Sequence, residues 1–311
     1  MNSRPKVIVI AGPTASGKTA LSIQLAKKIN GEIISADSMQ IYKDMNIGTA
    51  KPTEEEKEGI KHYLLDFVSP EDRFSVSQFV KLANESIEEI LKKGKVPIIV
   101  GGTGLYIDSL VYGIKFGEMQ TDLEYRSKLD KMAETEGLEI LYNYANKIDP
   151  EAMKIISKND KKRILRVLEI YHKTGKTKTQ LEEESKRNKP KYNFLVFVLQ
   201  MEREKLYDRI NKRVDQMIEA GLIEEVDSLR KKYVNFQTAM QGIGYKEVIE
   251  YLEGKIAKDE MIEKIKQESR RYAKRQITWF KKDKTRKYLY ALDNLQNNLN
   301  IILEEYCEEE K

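Results

Sequence analysis

The chain of 311 residues contains a single cysteine, Cys307. That excludes an intrachain disulfide and leaves no cysteine spacing for zinc. Near the end of the chain, such a residue reads as tolerated rather than functional. Long apolar runs are also missing. The longest, Phe194 to Leu199 ("FLVFVL"), falls far short of the ~20 residues a membrane-spanning helix needs. Arg4 and Lys6 precede only five apolar residues and a glycine. That is too short for the apolar centre of a secretory leader, so a cytoplasmic protein without a membrane partner is expected. No internal repeat or low-complexity tract is present.

Hydrophobic residues make up 40% of the chain and charged residues 34%, the balance of a soluble globular protein with a large core. The length predicts one domain with an insertion, or two domains. The net charge of +5 is unevenly distributed. Residues 151–191 carry thirteen Lys/Arg against six Asp/Glu, and residues 261–287 carry eleven against three. The last 24 residues hold six acids and one lysine. Two basic blocks in a nearly balanced chain point to a polyanion partner, with solvated lysine-rich helix faces as the alternative.

Strand and helix alternate through the first 110 residues. "KVIVIAG" (6–12), "EIISADS" (32–38) and "KVPIIVGGTGLYI" (95–107) read as strands, the last running into a glycine turn. "TALSIQLAKKIN" (19–30) and "SVSQFVKLANESIEEILKKG" (75–94) read as helices stopped by Gly31 and Gly94. This predicts a parallel sheet with helices on both faces. Residues 113–191 read as helices only. Strand character returns at 192–203, so the helical segment is an insertion into one domain formed by 1–112 and 192–311. Helices are expected over 204–220, 222–232, 244–253 and 259–282, with an edge strand over 286–293.

"GPTASGKT", comprising Gly12, Pro13, Thr14, Ala15, Ser16, Gly17, Lys18 and Thr19, fits G-x-x-x-x-G-K-[ST] between a strand and a helix. Gly12 and Gly17 let backbone amides face phosphate oxygens, Lys18 adds a point charge, and Thr19 offers a hydroxyl to Mg²⁺. The helix N-terminus adds roughly half a positive charge. The expected fold is therefore α/β, a P-loop NTPase-like parallel sheet flanked by helices, with a helical insertion.

One part of a nucleotide hydrolase is missing. The strand "VPIIV" ends in Gly101-Gly102-Thr103-Gly104, without the acid that would hold Mg²⁺ through water. The acid ends the second strand instead, as Asp37 in "ISADSMQIY". Strand C-terminal ends face the ligand crevice in such sheets, which places Asp37, Ser38 and Thr103 beside the phosphate loop. Asp37 reads as a base or magnesium partner, or as a turn former.

"GPTASGKT", "ISADSMQIYKDMNIGTAKPT", "VGGTGLY" and "KRQITWF" together resemble the tRNA dimethylallyltransferases, also called tRNA isopentenyltransferases. The order is the same and the resemblance covers essentially the whole chain. A lone cysteine cannot form the C-terminal zinc finger of many eukaryotic members, so the likeness is to the bacterial form. The resemblance implies that dimethylallyl diphosphate lies on the phosphate loop. Its five-carbon group goes to N6 of the adenosine just 3′ of the anticodon in tRNA, diphosphate leaves, and Mg²⁺ is required. Asp37 takes the role of base, Thr103 orients Asp37 or the amine, and Arg213 contacts the diphosphate. Family segments that touch the tRNA match Asp37, Ser38, Met39, Gln40 and Thr103. They also match Lys162, Arg163, Ile164, Leu165 and Arg166 in the insertion, Gln241, Tyr245 and Lys246, and Lys274, Arg275 and Gln276. The implied partners are dimethylallyl diphosphate and a tRNA anticodon stem-loop. A monomer is expected, although no residue pattern fixes the oligomeric state.

Trp279, the only tryptophan, reads as packing or as a base-stacking platform. Three other activities fit parts of the pattern: a small-molecule kinase, an adenylate isopentenyltransferase acting on a free nucleotide, and a nucleic-acid-dependent ATPase.

Overall fold

The computed structural model describes residues 4–114, 122–187, 190–234, 238–291 and 295–308. Within them the chain divides into two compact units, residues 1–110 with 191–311, and residues 111–190.

In chain order the elements begin with β1 (Lys6–Ala11), α1 (Lys18–Ile29), β2 (Gly31–Ser35), α2 (Glu54–Lys57), β3 (His62–Tyr63), α3 (Val76–Lys92), β4 (Val96–Gly101) and α4 (Gly104–Val111). The insertion supplies α5 (Leu123–Thr135), α6 (Leu138–Ile148), α7 (Pro150–Met153), α8 (Lys161–Thr174) and α9 (Lys178–Arg187). Then come β5 (Asn193–Gln200), α10 (Arg203–Glu219), α11 (Leu222–Lys232), α12 (Tyr245–Leu252), α13 (Lys258–Phe280), β6 (Lys287–Tyr290) and α14 (Leu295–Cys307).

The strands form one sheet in the order β3-β2-β4-β1-β5-β6, with every pair parallel. Parallel neighbours need crossovers, which is why helices separate them in sequence. Alternate residues face opposite sides. Ile8, Ile10, Ile33, Ile98, Phe197 and Leu199 form one buried cluster with Leu21 and Leu25 of α1 and with Leu299 and Ile302 of α14. Val7, Val9, Ile34 and Ile99, of opposite parity, are equally buried. They turn to the other face, where α3 packs on β2 and β4. The capping box of Ser75 and Gln78 starts α3, and Phe79, Ala83, Ile87 and Ile90 form its buried stripe. A second cluster joins Ile41, Tyr42 and Met45 to Leu222, Val226 and Leu229 of α11, Tyr245 and Val248 of α12, and Met261 and Ile265 of α13.

Three readings of the chain change. Gly104–Val111 is a helix, not the continuation of a strand, because Gly101 ends the β4 pairing and the chain turns at Thr103. The second strand stops at Ser35, where pairing with β4 ends. The acidic C-terminal segment forms α14, and residues 292 and 293 of the expected edge strand lie outside the described residues.

The insertion has its own core. Leu129, Leu141, Ala145, Met153, Ile164, Leu165, Val167 and Leu168 bury one another. Asp149, 2% exposed, caps α7 through the Ala152 amide at 3.1 Å. It also accepts from the Thr179 amide at 2.9 Å and hydroxyl at 2.7 Å. Ile164 and Leu165, expected against RNA, have their side chains buried in this core. The neighbouring Arg163 is exposed and pairs with Asp160 at 3.1 Å, while Lys162 is exposed beside it. Arg166 lies 3.7 Å from Glu169.

Candidate active site

The phosphate loop links β1 to α1. Gly12 and Gly17 take φ of 147° and 91°, values that glycine adopts at little cost. A Cβ on Gly12 would stand 2.8 Å from the Leu199 carbonyl of β5. Ala15, at φ 60°, is a left-handed residue costing about 1–2 kcal/mol. Its carbonyl accepts from Arg209 Nε at 2.8 Å. Strain of this kind is tolerated where surrounding contacts fix the backbone.

Two cations converge on this loop. Lys18 Nζ donates to the Pro13 carbonyl at 2.6 Å. Burial pushes its ammonium down to about 8, while the Asp37 charge pulls it up and Arg213 pushes it down. Arg213 of α10 reaches Thr14 Oγ1 and the Ala50 carbonyl, both at 3.4 Å. Burial depresses the guanidinium, and Asp37 opposes that. An arriving anion would favour the charged form of both half-buried cations.

Asp37 follows β2. Its Oδ1 accepts from the amides of Met39 at 2.9 Å and Gln40 at 3.3 Å. Oδ2 has no hydrogen bond among the described residues. One oxygen therefore shapes the turn and the other stays open, so the two roles considered for Asp37 are compatible. Thr103 Oγ1 accepts from the Ser38 amide at 3.0 Å and donates to Ser38 Oγ at 3.3 Å. It holds the residue next to Asp37 and makes no hydrogen bond to Asp37 itself. The glycines before it are required by contact: a Cβ on Gly101 would lie 2.1 Å from the Ala36 carbonyl, and one on Gly102 would lie 2.1 Å from Gln276 Nε2.

Gln276 is 5% exposed and bridges the two loops. Its Oε1 accepts from the Thr14 amide and its Nε2 donates to the Gly102 carbonyl, each at 2.9 Å. It ties the phosphate loop to the β4 turn and also borders a cavity shared with Asp37. Tyr245, also expected against RNA, is 1% exposed and donates its hydroxyl to Glu225 at 2.7 Å. Burial, and next the Glu225 charge, push its phenol pKa upward. Trp279 is a packing residue. Its indole N–H donates to Asp108 Oδ2 at 2.7 Å, and its ring lies where a Cβ on Gly104 would be, 2.3 Å away.

Asp37, Ser38, Met39, Gln40, Thr14, Lys18, Thr19, Gln241, Tyr272, Arg275 and Gln276 border a cavity of about 360 Å³. A second cavity of about 580 Å³ is bordered by Ala15, Ser16, Gly17, Glu56, Arg209, Lys212 and Gln216. Lys18, Thr19, Ala50 and Arg213 line both, so the end of the phosphate loop stands where the two spaces meet. Gly12, Pro13 and Thr103 line neither and support the walls from behind. Lys246 and Lys274 are exposed, and Arg275 is exposed over the Tyr272 ring at 5.7 Å.

Tyr272 and Ser269 escaped the sequence reading because they sit in a strongly basic helix. Spacing could have found them: Ile265, Ser269, Tyr272 and Gln276 share one face of α13 and all border the first cavity. Burial raises the Tyr272 phenol and the Asp37 charge raises it further, so it stays a donor at neutral pH.

A model of the family described as IPP transferase matches residues 40–283. A tRNA dimethylallyltransferase of Acetivibrio thermocellus is 56% identical over 277 residues, covering 89% of this chain and 88% of the relative. One from a Thermoanaerobacter species is 52% identical, covering 89% of each chain. Among solved structures, a tRNA delta(2)-isopentenylpyrophosphate transferase from Staphylococcus epidermidis aligns with a TM-score of 0.71 at 45% identity, over 97% of this chain and 99% of that one. A eukaryotic dimethylallyltransferase acting on tRNA aligns with a TM-score of 0.78 at 35% identity, over 97% of this chain and 77% of that one.

Proposed function

The chain belongs to the IPP transferase family, and on that premise we propose that it moves a dimethylallyl group from dimethylallyl diphosphate to tRNA. The acceptor is N6 of the adenosine 3′-adjacent to the anticodon, and diphosphate is released. The fold is P-loop NTPase-like, and the prenyl donor takes the place a nucleotide would occupy on the phosphate loop. One observation carries the reading. The phosphate loop with its two half-buried cations and the open oxygen of Asp37 face a common space.

The diphosphate rests on residues Gly12 to Thr19. Ser16, 2% exposed, holds a buried hydroxyl without a hydrogen-bond partner among the described residues, a donor suited to a phosphate oxygen. The target adenosine leaves its stack and enters the cavity lined by Asp37, Ser38, Met39 and Gln40, as enzymes acting on a base require. Adenine N6 is a weak nucleophile because its lone pair is delocalised into the ring. Asp37 Oδ2 takes the N6 proton as the N6–C1 bond forms and the C1–O bond to diphosphate breaks. General-base help of this kind is worth on the order of 10²–10⁴ in rate. Charge growing on the leaving diphosphate is stabilised by Lys18, Arg213 and the loop amides.

The described residues hold no cluster of three His, Cys, Asp or Glu able to bind a metal alone. The Thr19 hydroxyl on the cavity wall fits Mg²⁺, which keeps waters and takes most of its ligands from substrate phosphates. When bound, the ion would neutralise leaving-group charge. Among the described residues, no helix is long and apolar enough to cross a membrane. The enzyme works as a cytoplasmic monomer on the anticodon stem-loop, with Arg163, Arg166, Lys246, Lys274 and Arg275 on phosphates.

Incubating the pure protein with dimethylallyl diphosphate and unmodified tRNA, then digesting the RNA, is expected to yield N6-isopentenyladenosine by mass. ATP hydrolysis without that product would overturn the proposal. Asp37→Asn is expected to bind both substrates and turn over at least about a hundredfold more slowly. Near-normal turnover would remove Asp37 as the base.

A further inference from the structure

Residues 46–50, between β2 and α2, form a compact loop. The Ala50 amide bonds to the Ile47 carbonyl and the Lys51 amide to the Asn46 carbonyl, both at 2.9 Å. Gly48, Thr49 and Ala50 border the cavity that holds Asp37, and Ala50 borders the second cavity as well. The loop also offers carbonyls to both sides of the reaction. Gln40 Nε2 donates to the Thr49 and Ala50 carbonyls, each at 3.1 Å, and Arg213 reaches the Ala50 carbonyl at 3.4 Å. Ala50 takes a left-handed φ of 48°, so this backbone holds its shape only if something fixes it.

That fixture is one carboxylate. Glu225, in the first turn of α11, lines neither cavity. Its Oε2 accepts from the Asn46 amide at 2.9 Å and the Ile47 amide at 2.8 Å. Its Oε1 accepts from the Gly48 amide at 3.1 Å and the Tyr245 hydroxyl at 2.7 Å. Four donors saturate the two oxygens. Beneath the loop, a Cβ on Gly48 would lie 2.5 Å from the Tyr245 ring, so loop and ring are in close contact. Leu222 and Leu229, three and four residues from Glu225 on the same side of α11, are buried with Val226, which keeps the carboxylate stationary.

We propose that Glu225 is a positioning residue for prenyl transfer: it holds residues 46–50 so that Gln40 and Arg213 stand in register on the base side and the diphosphate side. This rests on the transfer reading. Reacting atoms displaced by about 1 Å lose on the order of a hundredfold in rate. A loosened loop therefore costs turnover rather than the capture of either substrate, which depends mainly on other groups.

The test is a graded series. Glu225→Ala removes both acceptor oxygens and is expected to lower kcat by about fiftyfold or more. Glu225→Gln keeps Oε1 for the Asn46 and Ile47 amides and turns its Nε2 toward the Tyr245 hydroxyl, losing chiefly the Gly48 bond. It is expected to recover most of that loss, to within about tenfold of wild type. The tRNA dissociation constant and the KM for dimethylallyl diphosphate are expected to stay within about threefold in both. Glu224→Gln, an exposed neighbour, serves as the control. Circular dichroism checks folding, and rates are taken per folded molecule. Normal kcat in folded Glu225→Ala, or a loss confined to tRNA affinity, would overturn the proposal. Should that variant not fold, Glu225→Asp draws the carboxylate one methylene back from the Asn46, Ile47 and Gly48 amides, and a kcat unchanged from wild type would overturn the proposal equally. If wild-type protein modifies no tRNA, it is the transfer reading that falls.

Discussion

Lys18 is the side chain whose chemistry is most exposed to pH. Burial lowers its ammonium to about 8 in the free protein. A bound diphosphate favours the charged form and raises that value again. Below pH 8 the cation is already present and the donor binds to full effect. Above it, binding requires proton uptake, so affinity falls as pH rises toward the ordinary lysine value. The KM for dimethylallyl diphosphate, measured from pH 7 to 9.5, is expected to stay flat and then climb from about pH 8. Lys18→Arg, whose charge persists, is expected to remove the climb. A KM flat to pH 9.5 in the wild type would show that Lys18 keeps its proton throughout. The placement of Gly12, Gly17, Lys18 and Thr19 at the turn from β1 into α1 was legible because it follows from a contiguous motif. Glu225 was not, because the amides it holds lie 177 to 179 residues away. The hydrogen bonds of Gln276 were not legible, since its partners Thr14 and Gly102 lie 262 and 174 residues away.

At the scale of elements, α13 carries the most information. Its periodicity and charge announce a long basic helix, and it is one. The sequence does not show that one face of it borders the cavity of Asp37 while its end is anchored on α4 and on the residues just before β6. There Asp108 accepts from Trp279, and Arg286 lies 2.5 Å from Asp108 and 3.2 Å from Asp283. Burial raises the Asp108 carboxyl above its ordinary range, and Arg286 and Trp279 work against that. Trp279→Phe removes the indole donor and leaves that carboxylate one partner short. The expected cost is about 1–3 kcal/mol of stability, read as a lower thermal midpoint, with tRNA affinity unchanged. A large loss of tRNA affinity at unchanged stability would make Trp279 a stacking residue after all. The β-strands were legible from short β-branched, apolar or aromatic runs, except β3, whose two residues give no periodicity. Helix α14 was hidden by its acidic end, although Leu299 and Ile302 carry its buried side.

For the whole molecule, the two units have separate cores, so they can be tested separately. The sheet unit contains both cavities and every group assigned to the chemistry. The insertion contains an apolar core and an exposed basic turn at Lys162 and Arg163. Its helical character was plain from the sequence, whereas the burial of Ile164 and Leu165 depended on packing that a motif match does not contain. Replacing residues 120–190 by a short Gly/Ser linker is expected to leave the donor's affinity within about threefold and to abolish measurable tRNA binding. A milder variant, Lys162→Ala with Arg163→Ala, is expected to weaken binding and to flatten its salt dependence. Every phosphate that a removed cation no longer neutralises takes about 0.7–0.9 from the slope of log affinity against log salt. Titrations at several salt concentrations separate this from a folding defect, which lowers the active fraction without changing the slope. Full tRNA affinity with an unchanged slope in the linker variant would place RNA recognition entirely on the sheet unit, on Lys246, Lys274 and Arg275.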